Sequence, residues 1–491
     1  MKRTVAGLVA AAVLAGCAAD PVSAPQVPTP SQYTAAPIAP QSAVAGVPGG
    51  QAQQFAASQD MPSLWWTLFR STALDGLVRQ ALEGSPSLAR ARARLRQAEE
   101  DLNGRSGATS WPRVDAKLSA NRIDVNPQSL GVQNLPISTP FNLYLASVGV
   151  SYTFDLFGAT RSELQALQSE IDYQRYEVEA ARLMLAGNVV TAAIREAQLR
   201  EQIASSEEIV ALQSRQLDIT ERLQQLGTAA QTEVVAQRLE LAQTRAALPE
   251  LLRQLEGVRH RLAVYTGQPP GSAQLPEFRL ADLQLPTELP LSLPSELARQ
   301  RPDIRASEAL LHQASAKVGL ATANLYPQIT LSATAGSLAA NGSDLFGSGS
   351  GFYLLGASLT QPIFRGGELQ AKRRAAVAAY EQAGAAYQEV VLQGLQNVAD
   401  VLRVLEADAQ KLQQRADAAA QARNQHDIVA GRYKAGAVSY YALLEAQRKL
   451  HATMLERTQA TADRYADSAA LLQALGGGWW KEQPPASAAT R

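Results

Sequence analysis

"YPQITLSATA" occupies residues 326–335, and its reading decides the fold. Ile329, Leu331, Ala333 and Ala335 alternate with Thr330, Ser332, Thr334 and Gly336, which gives a strand with one apolar face and one face of small polar residues. Three further stretches keep the same period. Val114, Ala116, Leu118 and Ala120 alternate with polar residues, and Val148, Val150, Tyr152 and Phe154 alternate with Gly149, Ser151, Thr153 and Asp155. Tyr353, Leu355, Ala357 and Leu359 do so against Gly356, Ser358 and Thr360. Each strand can run about 10 residues, the length that a tilted membrane strand needs. A half-buried sheet in a water-soluble domain has the same alternation, so the pattern alone leaves both readings open.

The opening stretch is one of a pair. "WPRVDAKLSA" (111–120) follows "SPSLARARARLRQAEE" (85–100), just as "YPQITLSATA" follows "RPDIRASEALLHQASA" (301–316). Pro86 and Pro302, Pro112 and Pro327, and Gly227 and Gly436 each recur about 210 positions apart, a spacing expected of a duplication. "LDGLVRQAL" (74–82) and "LPSELARQ" (293–300) stand before the first pair. The halves are joined by "GQPPGSAQLPEFRLADLQLPTELPLSLP" (267–294), whose prolines exclude a continuous helix. The resulting division is a first repeat over 61–270, a linker over 271–293, a second repeat over 294–476 and a tail over 477–491.

The rest reads as helix of unusual length. Thr160–Gln225 and Glu368–Tyr433 are rich in Ala, Leu, Gln, Glu and Arg and lack proline, so each would extend about 100 Å. Shorter helices follow Gly227 and Gly436, over 232–265 and 440–475. Together with helices over about 72–107 and 294–324, two short helices match one long one in length, which predicts antiparallel, coiled-coil-like columns. Separate bundles are the alternative, but uncapped runs this long argue against compact packing.

The loops "NPQSLGVQNLPISTP" (126–140) and "AANGSDLFGSGSG" (339–351) suit hairpin tips. The second is no phosphate loop, because no Gly-Lys-Ser/Thr follows it. Four strands cannot close a membrane barrel, and lipid does not tolerate open strand edges. If the strands span, copies must pool them; two copies give eight and three give twelve, both within the known range. The sequence itself does not choose.

The N-terminus suggests how the chain reaches a membrane. Lys2 and Arg3 precede an apolar run, "VAGLVAAAVLAGCAAD" (5–20), that is too short to span a bilayer and holds the one cysteine. Leu14-Ala15-Gly16-Cys17 resembles a bacterial lipobox, which implies a signal peptide over 1–16 and an acylated Cys17 as the mature N-terminus. An ordinary signal peptide with an incidental cysteine is the alternative. Ala18, rather than Asp, implies sorting to the outer membrane. Residues 17–60, rich in Pro, Ala and Gln, read as an extended, poorly ordered tether.

Several functions are excluded. A lone cysteine forms no intrachain disulfide framework and no multi-cysteine metal site. With 45 acidic and 45 basic side chains, no net field recruits nucleic acid. His260, His312, His426 and His451 are scattered without ligand spacing, and no nucleophile elbow, Walker loop or dinucleotide fingerprint occurs. The chain therefore reads as neither an enzyme nor a cofactor-binding protein.

Several motifs identify a family. "LWWTLF" (64–69) with "ALDGLVRQALEGSPSL" (73–88), then "RPDIRASEALLHQASAKVGLATANLYPQITL" (301–331), "QPIFRGGELQAKRRAA" (361–376), "RYKAGAVSYYALLEAQRKL" (432–450) and "LGGGWW" (475–480) stand in order. Across roughly residues 64–479 the chain resembles TolC-type outer-membrane efflux channels, in the lipoprotein branch serving resistance-nodulation-division (RND) pumps, OprM- and NodT-like. The resemblance implies a mixed α and β membrane protein. It would be a homotrimer whose twelve-stranded transmembrane β-barrel, four strands per chain, continues as a long periplasmic α-helical barrel with an equatorial belt. It implies export of small toxic compounds from an inner-membrane RND transporter through a periplasmic adaptor, with the channel lipid-anchored at Cys17.

The same resemblance assigns sites. Tyr441 and Glu445, four apart on one helix face, stand where the family gate pairs an apolar with an acidic side chain, Leu and Asp being more usual. Three Glu445 carboxylates near an axis would repel one another and favour cations. On a solvated helix face Glu445 would instead pair with Lys449. Arg432 and Tyr433 stand where the family latches neighbouring coils. The helix reversals at Leu226, Gly227 and Thr228 and at Ala435, Gly436 and Ala437 would receive adaptor tips, or the glycines only cap helices. Two other readings are a type I secretion duct for polypeptides and a lipid-tethered coiled-coil scaffold with no pore. The lipobox and "GGGW" weigh against the duct, and the four alternating strands weigh against the scaffold.

Overall fold

The computed structural model describes residues 30–57, 61–124 and 140–481. Cys17 with its lipobox, the signal segment, most of the 126–140 loop and residues 482–491 lie outside the described residues. In chain order the strands are β1 (Gln54–Ala57), β2 (Arg113–Ile123), β3 (Phe141–Phe154), β4 (Glu288–Leu291), β5 (Gln328–Ala339) and β6 (Gly351–Thr360). The helices are α1 (Thr72–Gly84), α2 (Pro86–Ser110), α3 (Ala159–Gln225), α4 (Gln231–Tyr265), α5 (Pro294–Gln300), α6 (Pro302–Ala323), α7 (Glu368–Lys434) and α8 (Tyr440–Ala474). Two compact units result. Among the described residues, one comprises 94–124, 140–174 and 307–387; the other comprises 30–57, 61–93, 175–306 and 388–481.

The first unit contains one antiparallel sheet in the order β2-β3-β5-β6, so the hairpin of the first repeat lies beside that of the second. Register aligns Val114, Val150, Ala333 and Leu355 in one row and Ala116, Val148, Ala335 and Tyr353 in another. Directly opposed residues point the same way, so all four alternations share a single face. The opposite face carries Arg113, Ser151 and Ser332 in one row, and Thr153 Oγ1 lies 3.0 Å from Thr330 Oγ1 across it. Gly336 is required where β5 meets β3, because a Cβ there would run into the Ala146 carbonyl and the Ser147 backbone. The apolar face is bare: Leu118 is 78%, Leu355 74% and Tyr353 80% exposed. Among the described residues, β2 and β6 each keep one unpaired edge. Below the strands, Phe157 stacks on Tyr326 with ring centroids 4.9 Å apart, tying the feet of the two repeats together. The Asp155 carboxylate caps α3, accepting from the backbone N–H groups of Thr160 at 3.1 Å and Arg161 at 2.8 Å.

The second unit is built from antiparallel helix pairs. Between α3 and α4, Arg195 bonds Gln254 at 3.0 Å, Arg245 bonds Ser214 at 3.1 Å and Arg238 bonds Glu221 at 2.7 Å. Between α7 and α8, Lys411 meets Asp463 at 2.8 Å and Arg415 meets Glu456 at 2.5 Å. On α7, Val391, Leu395, Val398, Leu402, Leu405, Ala409 and Leu412 are all buried. Their spacing alternates four and three, which is the seam of a left-handed coiled coil. Glu196 of α3 is fully buried and receives Arg200 at 3.0 Å and Arg259 of α4 at 2.7 Å.

Two expectations are corrected. The helices expected over 72–107 and 294–324 are each broken one residue before the repeat prolines. Ser85 (φ −68°, ψ 124°) and Arg301 (φ −80°, ψ 126°) are extended because the ring of the next proline excludes the helical region for its predecessor. The segment read as a poorly ordered tether is packed over residues 42–57. There β1 pairs in parallel with β4, and fully buried Gln53 donates Nε2 to the Pro286 carbonyl and to Ser468 Oγ, each at 2.9 Å. Arg464 of α8, also fully buried, donates to Gln53 Oε1 (3.3 Å), Gly49 O (3.1 Å), Ser42 Oγ (2.8 Å) and Gln51 O (2.6 Å).

Three of the family motifs meet in this unit. Trp479 Nε1 donates to the Gln300 carbonyl at 2.6 Å, and Arg301 Nη1 donates to the Ala474 carbonyl at 3.0 Å. Gly476, Gly477 and Gly478 all have positive φ (97°, 67° and 73°). A Cβ on Gly477 would run into Leu183 and lie 3.2 Å from Trp65, so "LGGGWW" closes on "LWWTLF" and "RPDI" only with glycine there. Trp66 of the same motif donates Nε1 to Asp75 at 2.9 Å.

Candidate functional site

The two helix reversals are built alike. At the first, Gly227 (φ 78°) donates its N–H to Gln224 O at 3.0 Å, and Thr228 donates to Leu223 O at 2.9 Å. At the second, Gly436 (φ 69°) donates to Tyr433 O at 2.9 Å, and Ala437 donates to Arg432 O at 2.9 Å. Both are Schellman turns, in which a left-handed glycine lets the chain reverse while the last carbonyls stay bonded. The glycines therefore do cap helices. Leu226 projects at the first turn, 76% exposed, and Ala435, Gly436 and Ala437 are exposed at the second.

Beyond the second reversal α8 begins at an N-cap, Ser439, whose side chain accepts from Ala442 N at 3.4 Å. Tyr441 is 67% exposed, while Tyr440 is buried with Leu443 and Leu444 against Val429, Ala430 and Tyr433. The Tyr433 and Tyr440 rings meet edge-on, centroids 5.8 Å apart. Burial first, then Tyr433 and the carboxylates of Glu240 and Glu233, push the Tyr440 phenol well above its ordinary range. Tyr433 is raised by burial and by Glu233. The Tyr440 hydroxyl is buried without a hydrogen-bond partner among the described residues.

Glu445 is half exposed and paired, though not with Lys449. Its carboxylate meets Arg448 at 3.0 Å, and Arg448 also reaches Glu240 of α4 at 3.0 Å. The expected gate residues Tyr441 and Glu445 thus lie on an exposed stretch of α8, with Glu445 tied through one guanidinium to the neighbouring helix hairpin. Of the expected latch, Tyr433 packs within its own hairpin and Arg432 is exposed. Sequence reading missed Arg448 and Glu240. The Glu445–Arg448 spacing of three carries a helical-pair signal, but nothing local points from Arg448 to a residue 208 positions earlier. Among the described residues, no group of three or more His, Cys, Asp or Glu side chains is placed to hold a metal ion.

The geometry is that of a known class. The sequence pattern of the outer membrane efflux protein family matches residues 77–268 and 293–477, and the chain belongs to that family. The pyoverdine export outer membrane protein OpmQ of Pseudomonas putida is 31% identical over 454 residues, covering 91% of this chain and 95% of that protein. The antibiotic efflux pump outer membrane protein ArpC of Pseudomonas putida is 28% identical over 488 residues, covering 96% and 95%. Among solved structures, the outer-membrane channel OprN superposes with a TM-score of 0.79 at 27% identity, covering 93% of this chain and 99% of that one. The protein is an outer-membrane efflux channel with a TolC-like fold, a transport conduit.

Proposed function

We propose that three copies of the chain close their sheets into one twelve-stranded barrel, continued by their helices as a periplasmic duct. The observation that carries this is the sheet itself. One chain offers a bare apolar face, fit for lipid, between two unpaired edges that lipid does not tolerate. Closure by further copies satisfies both edges at once. In this reading the duct receives small toxic compounds from an inner-membrane RND transporter through a periplasmic adaptor that docks at the two Schellman turns. The acylated Cys17 holds the chain to the outer membrane. Tyr441 and Glu445 line the closed tip, with Arg432 and Tyr433 at the coil contacts. OpmQ and ArpC, named for pyoverdine and antibiotic export, support small-molecule cargo.

The test is purification from outer membranes followed by electrophoresis with and without heating. A detergent-stable species of three times the chain mass that dissociates on boiling, and that conducts in planar bilayers, is the expected result. A monodisperse monomer without conductance overturns the proposal.

A further inference from the structure

We propose that a cationic cavity at the foot of the sheet is a binding subsite for the anionic groups of transported solutes: carboxylate, phosphate or sulfonate. The cavity, about 330 Å³, lies where α6 gives way to β5 and β6 gives way to α7. Lys317, Arg365 and Lys372 line it together with Asn324, Gln328 and Thr360, and no acidic side chain does. Its volume accommodates a small polycarboxylate.

The charge there is not cancelled. Lys317 has a neutral partner, its Nζ donating to Gln313 Oε1 at 2.8 Å. Lys372 is paired with Glu368 at 2.5 Å. Arg365 accepts from the Glu368 backbone N–H at 3.0 Å and its charge helps Lys372 hold the Glu368 carboxyl down, but among the described residues its guanidinium makes no side-chain hydrogen bond or ion pair. Three cations set against one carboxylate leave an excess of positive charge around a cleft rich in amide and hydroxyl groups. This is the donor set that holds an oxyanion, with a planar guanidinium available for two-pronged contact.

The sheet register tells which side the cavity serves. Gln328 opposes Thr360, and Gln328 shares a face with Thr330, Ser332 and Thr334, the polar one. The cavity therefore opens on the side away from Val148 and Leu355. On the trimeric-duct reading, on which this inference rests, that side is the water-filled lumen rather than lipid. A solute with one anionic group would dwell there while its remainder stays in the channel.

The test uses the full-length purified channel and two probes, citrate and inorganic phosphate, by titration calorimetry in detergent. Saturable citrate binding is expected that weakens with added salt and weakens about tenfold in Arg365→Gln. Lys317→Gln/Lys372→Gln, two changes at exposed helix positions, is expected to act in the same direction and guards against misfolding of the first variant. Equal citrate binding in wild type and both variants, or none in wild type, overturns the subsite. So does finding that the cavity cations retain a copurified phospholipid, lost in the variants, while citrate does not bind. Planar-bilayer recording separates the two readings. Arg365-dependent citrate binding without any conductance defeats the duct and leaves the subsite standing; conductance with variant-independent binding defeats the subsite alone.

Discussion

Arg448 on α8 lies 3.0 Å from Glu240 on α4 and 3.0 Å from Glu445 on its own helix, so one guanidinium couples the proposed gate carboxylate to the adjacent hairpin. The two contacts differ in weight. Glu445 is half exposed, and such a pair contributes roughly 0.2–1 kcal/mol. The Glu240 side chain is only 11% exposed and loses more when unpaired.

Arg448→Ala is therefore expected to loosen the join between α8 and α4 and to raise single-channel conductance. Glu445→Ala is expected to raise conductance while reducing cation preference. Bilayer recordings under a salt gradient measure both. Unchanged conductance in both variants rules out this link as a restraint on the tip.

Glycine substitutions should separate packing from conformation. Gly436→Ala meets open space and carries only the left-handed backbone penalty of about 1–2 kcal/mol. Gly477→Ala carries the same penalty and also drives a methyl into Leu183 and Trp65. Thermal unfolding followed by circular dichroism should show the larger loss at Gly477.

The sheet faces predict opposite tolerance to charge. Val148→Arg places a cation on the apolar face and should cost about 2–4 kcal/mol near the bilayer midplane, abolishing assembly in the outer membrane. Ser332→Arg, on the polar face, should assemble. The readout is the heat-modifiable oligomer that the proposed trimer predicts in membrane fractions.

Asp467 of α8 predicts a pH dependence. Burial first, then its hydrogen bond with Asp408 and the charges of Asp408 and Asp463, hold its carboxyl up to about 8, with Lys411 opposing. The folded protein keeps a proton that the unfolded chain releases near 3.8. Stability from this group is thus complete below about pH 4 and is lost as pH rises through about 8. Denaturant midpoints should fall between about pH 5 and about pH 9 in the wild type, and Asp467→Asn should flatten that fall.

Much of this architecture was legible because it is local. The period-two alternations of Ile329–Ala335 and its three counterparts fix the strand faces. Gly227 and Gly436 mark reversals that only a left-handed residue completes, and the proline-free runs announced α3 and α7. The prolines at 86 and 302 mark the duplication in the sequence, and their steric effect on Ser85 and Arg301 is what divides the helices. What stayed hidden is tertiary. Arg464 secures residues 42–53 from more than 400 positions away, so a Pro- and Ala-rich stretch that composition marks as loose is held firmly. Near the tip, helical spacing offers Glu445 both Lys449 and Arg448, and only the position of α4 selects Arg448.

The unpaired outer sides of β2 and β6 bear on inheritance as well as on folding. On the proposed trimeric closure, the ring of strands is completed only when every member supplies both seams, so one malformed subunit would spoil the assembly it joins. Missense alleles that damage either hairpin while sparing synthesis should therefore act dominantly over a healthy copy in the same cell, whereas outright deletions should be recessive.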